Sequence, residues 1–170
     1  MAKFEMLAPT EILNEIQTVE RKSLDIFKGM TKAGAKVAAE AMKANAAKAF
    51  KGGTGAKVAA KVKVTKPYVT KKDEITTKAA FYGYIAKSDG KPFYMSQRGK
   101  KTGPYPGIPV PLLCNLAEFG ASSASMPGPF RRYWNGQKHP IKRPAFSNTA
   151  GIADAMLKAQ KELSGGLLDD

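Results

Sequence analysis

The chain has 170 residues, with 28 Lys and Arg against 14 Asp and Glu (net +14), one Cys (Cys114) and one His (His139). That length predicts one domain with a real hydrophobic core, while a single Cys and a single His exclude an internal disulfide framework and any metal centre built from several of either. No apolar run approaches the roughly 20 residues that span a bilayer, and Glu5 and Pro9 fall where a signal peptide needs an unbroken apolar core, so a soluble protein without a membrane partner is expected.

The first element reads as a helix. Pro9 and Thr10 make its start, and Glu11 lies in the first turn, where the helix dipole favours an anion. Apolar or small residues recur at Ile12, Ile16, Val19, Ser23, Ile26, Met30, Ala33 and Val37, in alternating steps of four and three that draw one stripe down one face. The stretch from Ala33 to Phe50 is alanine-rich and helix-forming. Gly29 and Gly34 leave one long helix and two abutting helices both open. Lys51-Gly52-Gly53-Thr54-Gly55 terminates the element.

The apolar period then changes to two. Val58, Ala60, Val62 and Val64 alternate with Lys57, Ala59, Lys61 and Lys63, which predicts a half-buried strand with a lysine-bearing outer face. Lys66-Pro67 ends it, and Lys71-Lys72-Asp73-Glu74 forms a polar turn. A second strand fits Ile75 to Ile85, with Ala80, Tyr82 and Tyr84 on one face and Ala79, Phe81 and Ile85 on the other, pairing antiparallel with the first. Most of the excess charge sits in this part: from Ala41 to Lys101 there are 15 bases and three acids. Such a field attracts polyanions or an acidic protein surface. Because most of these bases are lysines, a nucleic-acid partner, if there is one, is expected to be met through its phosphates over its base edges.

Residues 86–111 are rich in Gly, Pro and Lys and read as an extended loop or arm bearing Arg98, Lys100 and Lys101, with a short strand at Phe93 to Met95. Leu112 to Phe119 is a short apolar helix or strand closed by Gly120. A second long loop, 121–142, carries an aromatic and basic patch, Phe130, Arg131, Arg132, Tyr133 and Trp134, suited to a protein contact or to base stacking. A final helix, capped by Ser147 or Asn148, has an apolar face of Ile152, Ala155, Met156, Ala159 and Leu163. The order predicts an α+β fold: a long N-terminal helix and a C-terminal helix packed on a small antiparallel sheet, with two long Gly/Pro-rich loops in one domain.

Candidate chemistry is sparse. Gly52-Gly53-Thr54-Gly55 differs from a phosphate-binding loop, because it follows a helix, is expected to open a strand and lacks a following Gly-Lys-Ser/Thr. Cys114 with His139 as base is a conceivable nucleophile, but Cys114 within Pro111-Leu112-Leu113-Cys114 reads as a small buried hydrophobe. Glu118 reads as a structural carboxylate paired with Arg143. The expectation is a non-enzyme without a cofactor.

Three features resemble the tail-completion or neck proteins of long-tailed bacteriophages, the lambda-type minor tail protein Z family. They are the Ala/Lys helix running into a glycine stop at Ala46 to Gly55, the Leu-Ala-Glu-Phe-Gly element at Leu116 to Gly120, and His139-Pro140-Ile141-Lys142-Arg143-Pro144-Ala145-Phe146 leading into a terminal helix. The chain departs from the family's pattern at Lys51-Gly52-Gly53 and in its two longer loops. The resemblance implies a structural virion protein, assembled in the host cytoplasm, that forms a homo-oligomeric ring, typically a hexamer, at the head-proximal end of the tail. Its neighbours would be tail-tube, tail-terminator or head-connector proteins. Glu118, Gly120, Arg143 and Pro144 would be structural. Lys57, Lys61, Lys63, Lys71 and Lys72 would face an acidic neighbour or packaged DNA, and the loop residues Arg98 to Lys101 and Phe130 to Trp134 would contact adjacent subunits. The alternative is a non-specific nucleic-acid-binding protein using the same lysine face.

Overall fold

A computed structural model describes residues 10–86, 90–97, 100–120, 133–134 and 138–165, with the side chains of 10–13, 15, 95–97 and 100–101 outside that description. The first element, α1 (Thr10–Ala49), is one continuous helix of 40 residues, about 60 Å long at about 1.5 Å per residue. Gly29 and Gly34 do not break it. They are where α5 (Thr149–Ser164) crosses: a Cβ on Gly29 would overlap the Leu163 side chain, and one on Gly34 would lie 3.0 Å from both Ile152 and Met156. Because the start of α5 lies at Gly34 and its end at Gly29, the two helices run antiparallel.

Gly52 and Gly53, with φ of 37° and 31°, turn the chain after α1. The next segment departs from the strand expected over 57–64. Residues Thr54–Ala59 form a short helix, α2, and only Val62–Val64 is extended, as β1. The burial explains the difference. Gly55, Val58 and Val62 are the buried positions, at spacings of three and four, so the helical period wins until the alternation of Val62, Lys63 and Val64 takes over. Gly55 is required there because a Cβ would come within 2.5 Å of the Ala47 carbonyl oxygen.

The second predicted strand is divided in three. β2 (Tyr68–Val69) pairs with β3 (Ile75–Thr76) around a Thr70–Glu74 turn, in which Asp73 takes a φ of 58°. β4 (Ala79–Phe81) pairs antiparallel with β1, Val62 opposite Phe81 and Lys63 opposite Ala80. β5 (Tyr84–Ile85) pairs with β8 (Ile108–Pro109). Much of the expected loop at 86–111 is instead an antiparallel hairpin of β6 (Phe93–Gln97) and β7 (Lys100–Tyr105). Both are edge strands, and this is what admits Pro104. The fold is therefore α+β, with four two-stranded antiparallel ladders among the described residues.

α3 (Val110–Phe119) is a helix, with Pro109 and Pro111 at its start where the missing N–H groups cost nothing. Its buried side, Val110, Leu113, Cys114, Ala117 and Glu118, has helical spacing. A short helix, α4 (Lys142–Ser147), precedes α5, and Asn148 caps α5 by accepting from the Gly151 N–H at 3.2 Å. The core gathers around the C-terminal half of α1: Met42 and Ala46 meet Val58, Phe81, Ile108, Leu113, Ile141 and Trp134. Among the described residues no helix is long and apolar enough to cross a membrane.

Candidate functional site: two unlike surfaces

Glu118 is the one buried charged residue among those described, 1% exposed at the end of α3. Its Oε2 accepts from the backbone N–H of Ile141 (2.6 Å) and Lys142 (2.7 Å), and its Oε1 from that of Arg143 (3.0 Å). A helix start leaves such N–H groups without partners, and here a carboxylate from another helix takes them. Burial pushes the Glu118 carboxyl up, but those three donors and the Lys142 ammonium together hold it below its ordinary value. The Arg143 Nε stands 3.9 Å away and its guanidinium lies over the exposed Phe119 ring, so Arg143 binds chiefly through its backbone. Gly120 leaves α3 with a φ of 80°, and Pro144 lies exposed within α4. This cluster fixes α4 to α3, and its lone pairs are committed to the backbone.

Cys114 is fully buried in the core, and burial pushes its thiol up to about 12. His139 is half-buried and its backbone N–H donates to the Ala117 carbonyl. A thiol held protonated in this way is a packing group at neutral pH.

The lysines fall differently from the single strand face expected of them. Lys57 is exposed on α2, Lys61 is half-buried in the turn before β1, and Lys63 projects from the outer face of β1 opposite Ala80. Lys71 and Lys72 are exposed in the β2–β3 turn. Tyr82 continues the outer face, its N–H donating to the Lys61 carbonyl at 3.0 Å. The exposed Lys78 places its ammonium 5.4 Å from the centre of the Tyr68 ring, and the Tyr68 hydroxyl, then Tyr68's charge, raise its pKa. Tyr68 and Tyr82 both lie close enough to Lys78 to act on its ammonium, and Val69 and Tyr84 are exposed as well. The result is a basic surface with aromatic rings set among lysines, anchored by Val62 and Phe81 on the buried side.

The second surface is the N-terminal part of α1. α5 ends beside Gly29, and the described side chains from Asn14 to Lys22 are all exposed, Ile16 by 58% and Val19 by 56%. The stripe that packs further along the helix here meets no described partner. Between the surfaces lies a cleft of about 270 Å³, lined by Gly34, Ile75, Thr77, Phe146, Ile152 and Met156, with the Thr31 and Thr77 hydroxyls bonded to each other at 2.9 Å. It is slightly smaller than the roughly 300–1,000 Å³ of small-molecule sites.

The expected loop contacts divide. Trp134 is 1% exposed and belongs to the core, a correction to its reading as a contact residue; it is among the largest fully buried side chains, and burying so large a ring contributes more to the core than exposing it would to a contact. Tyr133 is half-buried against that core, and its carbonyl accepts from the Lys51 N–H at 3.0 Å. Arg98, Phe130, Arg131 and Arg132 lie outside the described residues, as do the side chains of Lys100 and Lys101 on β7. The turn at Gly52 to Gly55 opens a helix rather than a strand, but still comes after a helix and still lacks Gly-Lys-Ser/Thr. Tyr68, Val69 and Lys78 are surface residues that sequence reasoning missed, because local spacing gives loop and strand where a hairpin brings Tyr68 opposite Thr76.

No family model, no curated protein and no solved structure matches this chain.

Proposed function

We propose that this chain is a non-enzymatic assembly subunit of the head–tail joining kind, closing into a ring at the head-proximal end of a bacteriophage tail. The observation that carries the reading is the exposed apolar stripe of α1 beyond the end of α5, with Ile16 and Val19 each more than half exposed and Phe27 exposed beside it. An isolated helix face of this kind gains stability only by being covered. The lysine and tyrosine surface is chemically unlike it, and two unlike surfaces on one subunit are what a head-to-tail ring needs. The two groups with candidate chemistry support the same reading, since Glu118 is spent on backbone donors and Cys114 is a buried thiol.

Native mass measurement and negative-stain imaging, with the chain alone and with purified tails and head connectors, test this proposal. Rings seated on tails or connectors are expected. A protein that stays monomeric and joins neither is the result that ends it.

The lysine and tyrosine surface favours a second reading, non-specific binding to nucleic acid. Phosphate contacts would make DNA affinity fall steeply with salt, and Lys57→Glu, Lys61→Glu and Lys63→Glu together would abolish it. No binding at low salt removes that reading.

A further inference from the structure

We infer that the two surfaces are each other's partners across copies: the N-terminal arm of α1 in one subunit docks on the lysine and tyrosine face of the next. This rests on the ring reading and names its contact.

Charge selects the occupant. From Thr10 to Asp25 the helix carries four carboxylates, Glu11, Glu15, Glu20 and Asp25, against two bases, Arg21 and Lys22. From Ile26 to Gly165 there are 25 bases and seven acids. The arm is thus a net-acidic helix on a strongly basic protein, and the most basic exposed part, Lys61 to Lys78, has six lysines against Asp73 and Glu74. Opposite potentials of this kind steer and orient association.

The apolar content matches as well. Ile16 and Val19 stand exposed one turn apart on the arm, and Tyr68, Val69 and Tyr82 stand exposed among the lysines. Aromatic rings and aliphatic side chains ringed by charge are the composition of an interface core and its rim. Within one subunit α1 is a continuous helix, and it is Met42 and Ala46 in its far half that share the core with Val62 of β1 and Phe81 of β4, while Ile16 and Val19 of the arm stay exposed. A contact between two different patches is heterologous, so it closes a ring or runs on as a filament and does not stop at a dimer.

The test uses the full chain in two variants. The arm variant is Ile16→Lys, Val19→Lys and Glu20→Lys; the face variant is Lys63→Glu, Lys66→Glu and Tyr68→Glu. All six residues are exposed, so circular dichroism and melting should show both variants folded. By native mass at low salt, the unmodified chain is expected to form closed oligomers that weaken as salt rises, and each variant alone to be monomeric. Mixed, the two retain one intact pair of surfaces, the arm of the face variant and the face of the arm variant, and are expected to give a one-to-one dimer and nothing larger.

Each other result overturns the inference and says where it failed. If the unmodified chain forms rings and either variant still does, the ring reading survives and the contact is wrong. If the unmodified chain stays monomeric at every salt and concentration, the contact fails, and the ring reading fails with it only if the chain also joins neither tails nor head connectors. An arm variant that melts earlier but assembles normally shows the arm covered by its own chain, and a face variant that loses only DNA binding assigns the face to nucleic acid.

Discussion

The two halves of α1 both carry apolar residues at helical spacing and have opposite fates. In the C-terminal half, Ala38, Met42, Ala46 and Ala49 are buried where α1 packs on α2, α4 and the β1–β4 ladder. In the N-terminal half, Ile16 and Val19 belong to the stripe that runs from Ile12 to Val37, on another side of the helix from Met42, and they stand in the open. The amphipathic pattern specifies which face of a helix seeks cover; it does not specify what covers it. Where the fold supplies the cover, the stripe is structure, and where it does not, the stripe is a surface for another molecule.

The largest expected effects lie at the buried end of that comparison, where polar as well as apolar groups are committed. Glu118→Gln replaces one accepting oxygen by an amide that faces a backbone N–H, and should destabilise the fold by about 3 kcal/mol in a denaturant titration. The pH dependence adds a second readout. Because the folded carboxyl lies below its unfolded value of about 4.3, its contribution is full above that pH and is lost as pH falls through the folded value. Acid unfolding below about pH 4.3 should therefore be shallower in Glu118→Gln than in the unmodified chain. Equal slopes would remove Glu118 as the group responsible.

The comparison of halves is sharpened by truncating one apolar side chain in each. Met42→Ala leaves a cavity in the closed core and should cost about 2–5 kcal/mol. Val19→Ala removes an exposed side chain and should stay within about 0.5 kcal/mol, while ring formation weakens. A large loss of stability at Val19 in the monomer would show the arm to be covered within its own subunit.

Much of the helical part is legible in the sequence because it repeats over many residues. The stripe of α1, the apolar face of α5 with its Asn148 cap, and a carboxylate at 118 tied to the segment at 143 all come from spacing and residue type. The short elements are not legible in that way. Val58 and Val62 fit a strand and a helix equally, and the packing of Gly55 against Ala47 decides for the helix. The hairpin of β6 and β7 is hidden by Gly103 and Pro104, residues that argue against a central strand but are tolerated at an edge. Trp134 sits in a polar, glycine-rich stretch whose composition says surface, yet tertiary packing draws it in. The lysine and tyrosine face depends on a hairpin that sets Tyr68 beside Lys78, a pairing that no local pattern announces.

The smallest effect is expected where the two halves of α1 meet. Gly29 is helical and interior, so alanine there should gain up to about 1 kcal/mol of helix stability. Against this, its Cβ would press on Leu163, but only on the tip of a flexible side chain that is 47% exposed and can swing into solvent. The propensity gain should win, and Gly29→Ala should raise the denaturant midpoint slightly at unchanged slope. Gly34→Ala meets Ile152 and Met156 together at 3.0 Å, five residues further along α1, so two half-buried side chains must give way there instead of one exposed tip. The same substitution should therefore gain less there or reverse sign, which locates the boundary between the covered and the open half of the helix between these two glycines.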